Sequence, residues 1–232
     1  MGEATDGTLP KIWFTRAMQS LDDILSISPK MEGGSEEIVK YKGRTECFVQ
    51  TPNDPCPRYL ILEDDTVKVP KRSQDAFKVI GGILVVSDKV RDVLTQFELG
   101  ASHLVEVPIY TTPTLEKQLD GRFFLLHASE QRDCFVPEES DKVWNLVHRP
   151  NPHFEWLFRR LKGTKDPRHD FWVPDGDFDR LVIRAAPVMD VDLWSARGLR
   201  DRFFFSDRLK RALDAAQIKT KVLTFAPAIV VP

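Results

Sequence analysis

Long apolar runs are missing from this sequence, and so is an excess of either charge. No stretch approaches the ~18 consecutive apolar residues of a membrane-crossing helix, so no membrane span is expected. The 33 Lys and Arg nearly balance the 35 Asp and Glu, leaving a formal charge of −2. No global field then draws in a polyanion, which argues against nucleic acid as the main partner. Cysteine is scarce: Cys47, Cys56 and Cys134 are an odd set without CxxC spacing, which fits neither a disulfide framework nor a structural zinc site. Reduced thiols in a cytosol are expected; a Cys47 to Cys56 bridge stays open if the protein is exported. The opening MGEATDGTLPK lacks the basic start and apolar core of a secretory signal, and the sixth position, Asp6, is not the Ser or Thr that follows a myristoylated glycine. A cytoplasmic location is expected.

Phosphate-binding loops are absent too. GGILVV, residues 81 to 86, lacks the later glycine and the lysine such loops require. The five histidines, His103, His127, His148, His153 and His169, are scattered and form no HExxH. A metal site would have to be assembled by folding, so neither metal nor cofactor is expected.

What is present suits a packed soluble fold. The 232 residues are 42% hydrophobic, with fifteen Phe and five Trp to supply large buried surfaces. MQSLDDILSI reads as a helix near the N-terminus. Residues 37 to 69 read as β-rich, broken by TPNDPCPR, with YLIL as the clearest strand and Asp64 and Asp65 as its turn. This divides the chain into an N-terminal helix and β-rich segment, 1–71, and a region 72–232 carrying two repeat units, about 78–109 and 197–229, in one compact fold.

The repeat is VVSDKVRDVL, residues 85 to 94, answered by FFSDRLKRAL, residues 204 to 213. Each copy follows an apolar run of strand type. Ser87 and Ser206 stand where helix N-caps would, each followed by an aspartate suited to the positive helix end. Val90, Val93, Leu94 and Phe97 then fall at helical spacing, as do Leu209, Ala212, Leu213 and Ala216. Each copy closes on a strand before a proline, Pro108 or Pro227, at the same offset of 119 as the serines. A nucleophile elbow needs glycines around the serine, and the neighbours here are Val86 and Asp88, or Phe205 and Asp207. Both serines are therefore expected to be structural caps. The predicted class is α+β, with a mixed or antiparallel sheet, packed helices and a duplicated strand, cap, helix, strand unit.

Between the copies, FFLLHA and DCFV read as strands and PEESD as a turn. The stretch from His148 to Arg180 is rich in Pro, Gly and charge, with a short helix expected at FEWLFRRL. Its HDFWVPDGDFD segment gathers Asp170, Asp175, Asp177 and Asp179, but not in the order of a calcium loop. These acidic clusters could pair carboxylates as acid and base only across a defined cleft; as solvated turns they need no chemistry.

Taken together, VVSDKVRDVL, the strand pair FFLLHASEQRDCFVPEESD, a DLW segment, FFFSDRLKRALDAA and a terminal LTFAP resemble immunity protein family number eleven of bacterial polymorphic toxin systems, formerly a domain of unknown function. The family's C-terminal helix is opened by an apolar strand and then a serine, an acid, a base and a leucine, matched here by Phe203, Phe204, Phe205, Ser206, Asp207, Arg208 and Leu209. Its middle strand pair, ending in an acid-rich turn with a serine, matches Phe123 to Ser140. The resemblance spans residues 79 to 227; Ile218, Lys219 and Thr220 stand where the family often has a glycine.

The resemblance implies a cytoplasmic antitoxin, not an enzyme, that binds a toxin domain delivered by a contact-dependent or type VI secretion route. Such an inhibitor needs a rigid scaffold and a complementary surface. Against a basic substrate cleft the candidate contacts are Asp64, Asp65, Glu138, Glu139, Asp141, Asp175, Asp177 and Asp179. Trp156, Phe171 and Trp172 are candidate aromatic anchors, with core packing as the alternative for all three. Two other classes stay open: a hydrolase using carboxylates with His127 or His169, and an adaptor that holds an effector for secretion.

Overall fold

The computed structural model describes residues 9–15, 24–25, 27–30, 56–62, 74–80, 83–140, 144–145, 171–172, 181–197, 199 and 202–232. The first half contains β1 (Ile12–Thr15), β2 (Ile24–Leu25), β3 (Ile27–Lys30), β4 (Tyr59–Leu62), β5 (Ala76–Val79) and β6 (Ile83–Ser87). Helix α1 (Asp88–Leu94) follows, then β7 (His103–Glu106) and β8 (Ile109–Tyr110). Next come β9 (Phe123–His127), β10 (Gln131–Arg132), a 3-10 turn (Pro137–Glu139), β11 (Trp144–Asn145) and β12 (Phe171–Trp172). The chain closes with β13 (Val182–Arg184), β14 (Leu193–Ala196), β15 (Phe203–Ser206), helix α2 (Asp207–Ala215), β16 (Phe225–Pro227) and β17 (Ile229–Val231). Mostly strands, in mixed and antiparallel sheets, with two helices, these elements agree with the expected mixture of α and β.

Two five-stranded sheets dominate the described residues. One runs β2-β5-β6-β9-β7 and the other β10-β14-β15-β1-β16. In each, the first strand pairs parallel and all later neighbours pair antiparallel. β1, from the N-terminal segment, thus lies between β15 and β16 from the far end of the chain. Smaller sheets are β3-β4-β8, β13-β17 and β11-β12.

The apolar run before each serine follows from burial on both faces, which removes the usual alternation of apolar and polar residues. Leu84 and Val86 of β6 enter a core cluster with α1 and α2, while Ile83 and Val85 enter a second cluster with Ile27, Leu60, Leu62 and Ile109 of the three-stranded sheet. β15 repeats this division: Phe203 and Phe205 face the helices, and Phe204 meets Leu181 and Ile183 on the other side. The order of layers is therefore small sheet, large sheet, helix pair, large sheet, small sheet. Val90, Val93 and Leu94 of α1 and Leu209 and Leu213 of α2 supply the central layer, consistent with their helical spacing.

The N-terminal helix expected over MQSLDDILSI is corrected at its C-terminal end. Ile24–Leu25 is strand β2, paired with β5, and Ile27–Lys30 is strand β3, paired with β4. Cross-strand pairing plus burial of Ile27 outweighs the local apolar spacing. Residues 16–23 and the expected helix at 154–161 lie outside the described residues. DCFV contributes one bridge, Phe135 to Ile183, in place of a full strand. No helix among the described residues is long and apolar enough to cross a membrane.

Candidate functional site

The two serines open their helices differently. Ser206 caps α2: its Oγ accepts the Leu209 N–H at 3.2 Å. The same hydroxyl donates to Asp192 Oδ1. Ser87 occupies the equivalent cap position in extended conformation, but its hydroxyl makes no capping bond, which corrects the expectation of a side-chain cap there. It donates instead to Asp75 Oδ1 at 3.3 Å. A hydroxyl at 3.3 Å from one partner has turned away from the helix amides, and the Asp88 carboxylate takes the Lys89 N–H at 2.9 Å.

Both hydroxyl and carboxylate pairs are parts of reciprocal clamps. Asp192 Oδ2 accepts the Glu98 N–H at 3.0 Å, and the Asp192 N–H donates to the Glu98 carbonyl at 2.7 Å. Asp75 Oδ2 accepts the Lys219 N–H at 2.6 Å, and the Asp75 N–H donates to the Lys219 carbonyl at 2.7 Å. Glu98 follows α1 and Lys219 follows α2, so each aspartate holds the segment after the other helix. Arg208 grips Asp192 through Nε and Nη2, both at 2.6 Å; Lys89 stands 3.7 Å from Asp75. Burial pushes the Asp192 carboxyl up, but hydrogen bonds from Arg208, Ser206 and the Glu98 N–H, with the Arg208 charge, outweigh it and hold the group below the ordinary aspartate value. A carboxylate saturated by donors in this way is poorly placed to act as a base. Sequence reasoning missed both aspartates, which lie 12 and 14 residues before their serines, although a shared Asp upstream of each Ser-Asp pair was a usable signal.

Among the expected partner contacts, Glu138 and Glu139 are exposed on the 3-10 turn Pro137–Glu139. Ser140 pins that turn, donating through Oγ to the Val136 carbonyl at 2.8 Å and accepting the Val182 N–H at 2.9 Å. Phe171 and Trp172 form β12, paired with Trp144–Asn145. Asp64, Asp65, Asp141, Trp156, Asp175, Asp177 and Asp179 lie outside the described residues.

A third grouping has no sequence motif. Cys56, ahead of β4, places Sγ 3.2 Å from Nδ1 of His127 on β9. His127 is paired across the ladder with His103 on β7, and the two rings stack with centroids 4.6 Å apart. The ligand atoms of all three residues lie within 4.8 Å of one another. Burial pushes the Cys56 thiol up. Among the described residues Cys56 and Cys134 are free thiols; Cys47 lies outside them. Two of the five histidines, His103 and His127, are thus brought together by strand pairing; His148, His153 and His169 lie outside the described residues.

No known family model matches the chain, and no curated protein matches it in sequence.

Proposed function

We propose that this protein is an immunity protein that neutralises a cognate secreted toxin domain by stoichiometric occlusion. The observation that carries this reading is the Glu138–Glu139 turn. Two exposed carboxylates project from a turn started by Pro137 and tied to both neighbouring segments through Ser140. A basic catalytic cleft would meet this charge pair without first having to order it, which reduces the entropic cost of association and favours rapid encounter. The turn also lies at the end of the segment that resembles the middle strand pair of the immunity family. The serine and aspartate pairs, the most reactive-looking motif of the sequence, are engaged in clamps.

The scaffold reading extends to a duplication. Two units of strand, serine, helix and strand sit in sheets of the same order and pairing sense, and their aspartates exchange backbone bonds with the opposite unit. The offset is 119 at the serines but 121 between Glu98 and Lys219, because α2 has nine residues and α1 has seven. The equivalence of Pro108 and Pro227 therefore fails in register: Glu106 stands opposite Phe124, and Pro227 opposite Trp13.

A second reading, a hydrolase with His127 as base, draws on the 3.2 Å contact with Cys56. The test is capture of the toxin domain with this protein as bait, followed by titration of toxin activity. Protection at one equivalent supports occlusion. Protection far below one equivalent, abolished by Cys56→Ser, would replace it with catalysis.

A further inference from the structure

We propose that Cys56, His103 and His127 form a binding site for one zinc ion, with a fourth coordination position left to water or an incoming ligand. The donors come from three separate segments and converge, their ligand atoms all within 4.8 Å. Tetrahedral zinc holds sulfur at ~2.3 Å and nitrogen at ~2.0–2.1 Å, which places neighbouring donors on the order of 3.5 Å apart by that geometry. Cys56 Sγ and His127 Nδ1, at 3.2 Å, are already at that separation. The remaining adjustment falls on His103, which lies on the edge strand β7 with its ring stacked on that of His127.

The scaffold favours this use. His103 and His127 are direct partners across an antiparallel ladder, so both rings stand on one face of the sheet. His127 is fully buried and held on β9, between β6 and β7, a rigid platform of the kind that makes a metal site precise. One thiolate with two imidazoles is a borderline-soft set that suits zinc over magnesium or calcium, which take oxygen ligands. An ion bound here would staple the segment entering the three-stranded sheet to the edge of a five-stranded sheet. Nothing in this inference depends on toxin binding.

The experiment uses the full chain, stripped with a chelator and titrated with Co²⁺ and then Zn²⁺. One equivalent of cobalt should produce a thiolate-to-metal charge-transfer band and the intense visible bands of a tetrahedral site, both removed by one equivalent of zinc. Cys56→Ser should abolish the charge-transfer band. His103→Ala should weaken affinity by more than the ~10-fold that loss of a supporting group causes. Circular dichroism checks the folding of each variant. Should Cys56→Ser fail to fold, zinc must slow alkylation of Cys56 in the unmodified chain, read by peptide mapping. The proposal is overturned by the absence of a stoichiometric cobalt band, by a band that survives in folded Cys56→Ser, or by alkylation rates indifferent to zinc.

Discussion

Replacing Asp192 with alanine removes the centre of one interlocking clamp. The Asp192 side chain is 1% exposed and holds Ser206 Oγ, the Glu98 N–H and two nitrogens of Arg208. The Arg208 side chain is 66% exposed, so its freed guanidinium returns to water and its share is under about 1 kcal/mol. Glu98 is exposed, whereas the Ser206 hydroxyl is half-buried, and a donor left there without its acceptor costs about 1–3 kcal/mol. Asp192→Ala should therefore lower unfolding free energy by roughly 2 kcal/mol in urea denaturation, and Arg208→Ala by less than about 1 kcal/mol. The folded carboxyl titrates below its unfolded value. Its ionised contribution is thus complete above the unfolded pKa of about 3.9 and is lost as pH falls toward the folded value. The gap between wild type and Asp192→Ala should hold steady from neutral to about pH 5 and narrow below about pH 4. Equal costs for the two variants, or a gap that widens on acidification, would refute the reasoning.

The two serines should separate in the same assay. Ser206→Ala should cost about 1 kcal/mol or more, and Ser87→Ala distinctly less because it caps nothing; equal losses would count against the assigned roles. At Gly100 the backbone has φ of +60° and an added Cβ would come within 2.3 Å of Glu130 Oε2, which itself accepts the Ala101 N–H. Gly100→Ala should then destabilise by at least ~1–2 kcal/mol, and a neutral result would deny the clash. Burial pushes the Cys134 thiol up to about 11, so it should resist thiol reagents at neutral pH until denaturant is added; labelling in the native state would contradict its burial. Charge reversal at Glu138→Lys with Glu139→Lys should weaken capture of the toxin domain without lowering the unfolding midpoint, and unchanged affinity would remove the acidic turn from the interface.

Where the controlling interactions are local, residue order was enough to read the structure. Ser206 was legible as a cap because a helix start needs an acceptor within three residues, and Leu209 and Leu213 announced the buried face of α2. YLIL and FFLLH were legible as strands from their apolar β-rich runs. The spacing in MQSLDDILSI misled at Ile24 and Ile27, since a helix period over ten residues cannot compete with strand partners far along the chain.

The sequence by itself determined the two helices, the strands on either side of them and the turn at PEESD, set by periodicity, by the Ser206 cap and by proline chemistry within a few residues. Only the tertiary structure decided that β1 enters the C-terminal sheet, that Asp75 grips Lys219 and Asp192 grips Glu98, and that Cys56 meets His127 from 71 positions away. These depend on which strands pair and in what register. A register fixes the neighbours of every side chain at once, while the chain order between them records none of it.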